Sequence, residues 1–139
     1  MSITGHSSLL DVQKAVATAL AGSSAFTRVC NGVFDPAPLN QAFPYVAYGE
    51  HIESNWYQFQ RTSKQIDFII HVYSQQPTFA EAMNILDTIA SVIEAQQLAL
   101  TSGHFTNVSI IFSEARKITE ADGITRHIES RWKVWNNAN

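Results

Sequence analysis

Between Gln65 and Ser74 apolar side chains fall on every second residue: Ile66, Phe68, Ile70 and Val72 lie on one side, with Asp67, Ile69, His71 and Tyr73 on the other. That is the period of a β-strand, whose successive side chains point to opposite faces. A few residues later the period changes. Phe79, Ala82, Met83, Leu86, Ile89, Ala90 and Ile93 recur at helical spacing, which predicts an amphipathic helix over 78–96. Thr78 and Glu81 stand at the separation of a capping box, in which each side chain satisfies the other's orphan backbone donor. A one-sided strand followed by a one-sided helix demands that the helix lie on the sheet.

The rest of the chain repeats this logic. Leu9, Val12, Val16, Ala19 and Leu20 form a second stripe, predicting a helix over 8–21 that Ser7 or Ser8 can cap and Gly22 follows. Residues 22–43 read as irregular, with Val33–Phe34 a short strand, and Pro36, Pro38 and Pro44 break the region up. Tyr45–Ile52 reads as a strand. Residues 106–118 and 124–135 read as two more, with Asp122-Gly123 as the hairpin signal between them. Leu98–Leu100 reads as a short strand before that hairpin. In the last strand Ile128, Trp132 and Val134 face the core, while His127, Glu129, Arg131 and Lys133 face water or a partner. The expected fold is α+β: a mostly antiparallel sheet with two amphipathic helices packed on one face. With no repeat or linker, residues 1–139 read as one domain.

Composition bounds the function. The net charge is −3, and only 15% of residues are charged, against ~25% in typical domains. A low-charge surface leaves neutral area for contact with other subunits, because charge is depleted at interface cores. Residues 114–135 hold Arg116, Lys117, Arg126, Arg131 and Lys133 against four acids, too small an excess for a nucleic-acid footprint. A single cysteine, Cys30, permits no internal disulfide and fits a reducing compartment. Met1–Gly5 has neither a positive region nor an apolar run, so it does not read as a signal peptide. No stretch approaches the ~20 apolar residues of a membrane span.

Candidate chemistry is sparse. His51, His71 and His127 lie on strands and can meet across a sheet, which makes a metal cluster conceivable; surface or hydrogen-bonded histidines are the simpler reading. Cys30 is more simply an inert buried side chain than a nucleophile. The six glycines are scattered singly, so no phosphate-binding loop is present. No catalytic residue, cofactor or metal is assigned. The segment Trp56-Tyr57-Gln58-Phe59 is the unusual feature, inside the polar stretch Glu53–Ser63, which reads as a long connection or an extended hairpin arm. It reads either as an arm that buries its aromatics against another subunit or as a loop folded over its own sheet.

Several short patterns then fall in a recognisable order. Phe43-Pro44-Tyr45-Val46 leads to Gly49-Glu50, and Ser54-Asn55-Trp56 follows. The Ile66–Ser74 strand runs into Ala80-Glu81-Ala82, and Asp122-Gly123-Ile124-Thr125-Arg126-His127 marks the last hairpin. Over roughly residues 8–135 the chain resembles the tail completion, or tail terminator, proteins of long-tailed phages and gene transfer agents. The resemblance implies a structural virion protein, made in the host cytoplasm and placed at the tail–head junction. It implies a homo-hexameric ring that caps the tail tube, stops its polymerisation and meets the head connector, with DNA passing through the lumen and no membrane involved. Trp56, Tyr57, Phe59, Arg61, Arg126, Arg131 and Trp135 are the residues expected at subunit or tail contacts. Other readings are a different neck protein (a head-side adaptor or stopper), a small metal- or thiol-dependent enzyme, and a small-molecule-binding domain.

Overall fold

The alternation in the central strand organises the molecule. In the computed structural model, which describes residues 5–58, 61–94 and 98–139, that strand is β3 (Arg61–Ser74). Of Tyr57, Gln58 and Arg61 the backbone alone is described. The other elements are α1 (Leu9–Ala21), α2 (Ser24–Thr27), β1 (Val33–Phe34), β2 (Tyr45–Gln58), α3 (Ala80–Glu94), β4 (Phe105–Thr119) and β5 (Arg126–Ala138). They form a five-stranded sheet in the order β1-β2-β3-β5-β4. Only the short β1–β2 contact is parallel; the longer ladders are antiparallel.

One face of the sheet is covered. Ile66, Phe68, Ile70 and Val72 of β3, Val46 of β2, and Ile128, Trp132 and Val134 of β5 are buried there against Val12, Val16 and Leu20 of α1 and Ile85, Ile89 and Ile93 of α3. Full burial of each such side chain contributes roughly 1.5–3 kcal/mol, so this layer dominates stability. The polar groups of Ser130 and Trp132 within it are paired. The Ser130 hydroxyl donates to the Ile70 carbonyl at 2.9 Å and accepts from the Trp132 indole at 3.0 Å. α2, unmarked by any stripe, is a single turn capped by Ser23, which accepts from the Phe26 N–H, and it buries Phe26.

Several local expectations are corrected. Of the two readings of Glu53–Ser63, the long connection falls and the extended hairpin arm stands: its described residues continue β2 and β3 as one hairpin, paired from Glu53 opposite Ile66 to Gln58 opposite Arg61. β5 extends beyond Trp135 to Ala138, placing Asn137 opposite Ser63, so only the outermost hairpin residues project past the sheet. The capping box is not formed. Thr78 accepts from the Ala80 N–H, while the Glu81 carboxylate accepts from the buried Ser74 hydroxyl at 2.7 Å. At α1 the Ser8 side chain does not cap; Ser7 accepts from the Leu9 N–H, and Glu53 takes both the N–H and the hydroxyl of Ser8. Leu98–Leu100 is not a strand, although Leu98 is buried. The β4–β5 turn spans 120–125 rather than two residues. It is organised by Asp122, whose carboxylate accepts from the Ile124 and Thr125 N–H groups and the Thr125 hydroxyl. These bonds, the Thr125 hydroxyl first, hold its carboxyl below the usual range.

Candidate assembly surface

The alternate residues of the same strands make the opposite face, which no helix covers. On it Ile52, Trp56, Val108 and Ile111 are 57%, 48%, 53% and 44% exposed. Single exposed apolar residues are ordinary; four on one face, two from β2 and two from β4, make it a candidate contact surface. Two shallow grooves follow it. One, of about 300 Å³, runs between Glu50, Ile52, Asp67, Ile69, Glu114 and Arg131. The other, of about 330 Å³, lies between Trp56, Val108 and Trp135. The Asp67 Oδ1 on this face is buried without a hydrogen-bond partner. An unmet acceptor of that kind costs free energy until something donates to it.

The structure brings some of the expected contact residues together. Trp56 on β2 meets Trp135 on β5 edge to face, ring centres 6.3 Å apart, and the Trp135 indole donates to Gln65 at 3.2 Å. Arg131 lines the first groove beside Glu114 at 3.4 Å, an exposed pair that contributes little stability. Arg126 sits apart from them, at the start of β5. Its guanidinium donates to the carbonyls of Gln76, Pro77 and Gly123, tying the last hairpin to the approach of α3. Tyr57 and Arg61 lie in the hairpin by their backbones, and Phe59 lies outside the described residues.

Further along the face the polar groups satisfy one another. The Glu129 carboxylate takes the Arg116 Nε–H at 2.6 Å. Burial pushes its carboxyl upward, and the Arg116 hydrogen bond and charge outweigh that and hold it below the usual range. His71 and His127 meet through Nδ1 and Nε2 at 2.7 Å, and His127 Nδ1 reaches Glu120 at 2.5 Å. A neutral His127 that donates from Nδ1 to Glu120 accepts at Nε2 from His71, whereas a protonated one donates to both. Burial, and then the neighbouring His127, lower the His71 pKa. His51 does not join them: it lies on the covered side, stacked on Phe68 at 5.4 Å. Among the described residues no group of three or more His, Cys, Asp or Glu side chains is arranged to hold a metal. Cys30 is buried, and that burial raises its thiol pKa, the opposite of what an activated nucleophile needs.

None of the residues singled out for chemistry thus converges on a cleft; what converges is an open, half-apolar sheet face. Comparison with known proteins agrees in fold. A chain of the native gene transfer agent virion superposes with a TM-score of 0.77 at 21% identity, covering 92% of this chain and 95% of that one. The gp17 protein of bacteriophage SPP1 superposes with a TM-score of 0.59 at 20% identity, covering 94% and 95%. Curated protein sequences yield no match. The family of tail completion protein gp17 matches residues 14–136, nearly the whole of the sheet and its helices, and the chain belongs to that family.

Proposed function

We propose that this protein closes the phage tail: copies assemble into a ring, six in number, that caps the tail tube, ends its polymerisation and offers its far side to the head's neck proteins, with DNA passing through the opening. Family membership supports a structural tail-completion role. The single observation that carries assembly is the one-sided sheet, whose uncovered face exposes Ile52, Trp56, Val108 and Ile111. A head-to-tail contact between identical copies gives a closed ring when the rotation per copy closes, and an open filament when it does not. A terminator must close. The role calls for no reaction, cofactor or metal.

The test is genetic and structural together. Phage lacking the gene are expected to make tails of irregular, excessive length that fail to join heads, and purified protein is expected to form six-fold rings in solution or on tails. Normal tail length and head joining without the protein would sink the proposal. Binding to filled tailless heads but not to tails would instead favour a head-side neck protein. Trp56→Ala combined with Phe59→Ala is expected to weaken assembly while leaving the monomer folded.

A further inference from the structure

The strand order leaves two long sheet edges. β1 pairs with β2 only at Val46 and Ala47, so beyond Tyr48 the outer side of β2 has no strand beside it, and β4 ends the sheet on the other side. Among the described residues no backbone group from outside the sheet ladders hydrogen-bonds to 50–54 or to 114–119. Such an edge is a row of free donors and acceptors that templates another strand, and proteins that must stay apart blunt it. The first part of β4 is blunted. Its Phe112 N–H is taken by the Glu94 carboxylate at 2.8 Å, and register shifts interrupt it at 107–109 and 112–114. The stretch 114–119 has no such device, contains no proline, and is exposed except at Ile118.

The two open stretches fit each other. β2, β3, β5 and β4 alternate in direction, so β4 runs opposite to β2. Set side by side in the same orientation, one copy's β4 meets the next copy's β2 as an antiparallel pair, and the alternation continues unbroken. Charge agrees: 50–54 carries Glu50 and Glu53 and no Lys or Arg, while 114–119 carries Arg116 and Lys117 against Glu114. The side-chain faces agree too. Ile118 lies opposite His127, hence on the uncovered face, as does the exposed Ile52. Lys117 lies on the helix side, over the Phe79 ring at 4.9 Å, and so does Glu53, which holds Ser8.

We propose, resting on the ring reading above, that neighbouring copies join edge to edge, residues 114–119 of one adding as a strand to residues 50–54 of the next. The register that sets Ile118 opposite Ile52 sets Lys117 opposite Glu53, an apolar pair on one face and opposite charges on the other, and pairs of both kinds stabilise a ladder. Because both halves of the joint are on one chain, the occupant of each edge is a second copy. The interface is heterologous, the type that closes into rings.

The experiment uses the whole protein in a Cys30→Ala background carrying Ile52→Cys and Ile118→Cys. Oxidation of rings is expected to give, on a non-reducing gel, a ladder running from dimer to the full ring that collapses under reductant, while either cysteine alone gives no ladder. Lys117→Glu is expected to weaken assembly several-fold. In the wild-type protein, amide exchange over 50–54 and 114–119 is expected to slow at least tenfold on ring formation, a readout that needs no variant to fold. Rings that form without the ladder and without that protection, or a cross-link to the tube protein in place of the ladder, would overturn edge pairing and leave the ring standing. Absence of any ring from the wild-type protein would overturn the ring reading itself.

Discussion

The two faces of the sheet are made from alternate residues of the same strands, yet they are held by different physics. On the covered face Ile66, Phe68, Ile70 and Val72 are buried against helices, and apolar burial alone dictates their identity. On the other face, buried polar residues such as Glu129 and His127 are satisfied by their neighbours, Arg116 and Glu120, while apolar residues are left outside. One face therefore sets whether the chain folds, and the other is left for what surrounds it. Membership of a tail-completion family makes that second face the one to test for assembly.

The sharpest way to break the comparison is to truncate one tryptophan on each face. Trp132 is fully buried, stacks on Phe68 at 6.4 Å and meets Phe112 edge-on at 5.3 Å. Trp132→Ala is expected to cost about 3–5 kcal/mol in urea unfolding, a large part of the ~5–15 kcal/mol that holds a domain together. Trp56→Ala removes one aromatic contact, with Trp135, and is expected to cost less than about 1.5 kcal/mol. Its effect is expected in assembly instead. Equal losses of stability at the two sites would mean that the uncovered face is core after all.

A glycine marks where the two faces constrain each other. A Cβ at Gly49 would lie 2.6 Å from His71 Nε2 and 2.9 Å from Ile69 Cγ2, far inside contact distance, beside the register shift between Tyr48 and His51. Gly49→Ala is expected to cost about 1–3 kcal/mol as an overpacking change, and to move His71 off His127. Thermal unfolding measures the first effect, and histidine ring NMR shifts the second. A neutral substitution would show that this side of the sheet yields as a surface does.

What was legible in the chain follows the same division. The covered face announced itself, because burial imposes a period: β3, α1 and α3 lie where their stripes placed them, and Trp132 is core. The uncovered face obeys no period, so its features were misread or missed. The far half of β2 read as either a connection or an extended hairpin arm because Asn55, Trp56 and Gln58 carry no alternation. β5 looked shorter because Asn136 and Asn137 are poor strand formers. They are held by partners distant in sequence: Asn136 by Asn107 at 3.0 Å and Ser8 at 3.2 Å, and Asn137 by Ser63 at 2.6 Å. Trp56 and Trp135 were both singled out in the sequence, as expected contacts with other subunits, and the structure packs them on each other. That they meet depends on β5 lying next to β3, a tertiary fact that no local pattern encodes. Glu81 was read as capping Thr78, and the buried Ser74 hydroxyl claimed it instead.

The smallest expected effect concerns pH. Burial, followed by the nearby His127, lowers the His71 pKa in the folded protein, against weaker upward pulls from Glu129, Glu120 and Glu50. The unfolded chain, with histidine near its ordinary value of about 6.5, therefore binds the proton more readily than the folded one. Stability from this residue is complete above that value and falls as the pH drops through it toward the lower folded pKa. Glu129, whose folded pKa is also depressed, loses its contribution only in the more acidic carboxylate range, so it does not confuse the window. Melting temperatures measured from pH 7.5 to 5.5 are expected to fall for the wild type and to fall less steeply for His71→Gln, which has no proton to bind there. The difference between the two slopes reports His71 together with its hydrogen-bonded partner His127, the other histidines being common to both proteins. Parallel slopes would mean that His71 titrates alike folded and unfolded. The uncovered face would then be as well hydrated around His71 as an ordinary surface, and its polar cluster would owe nothing to burial.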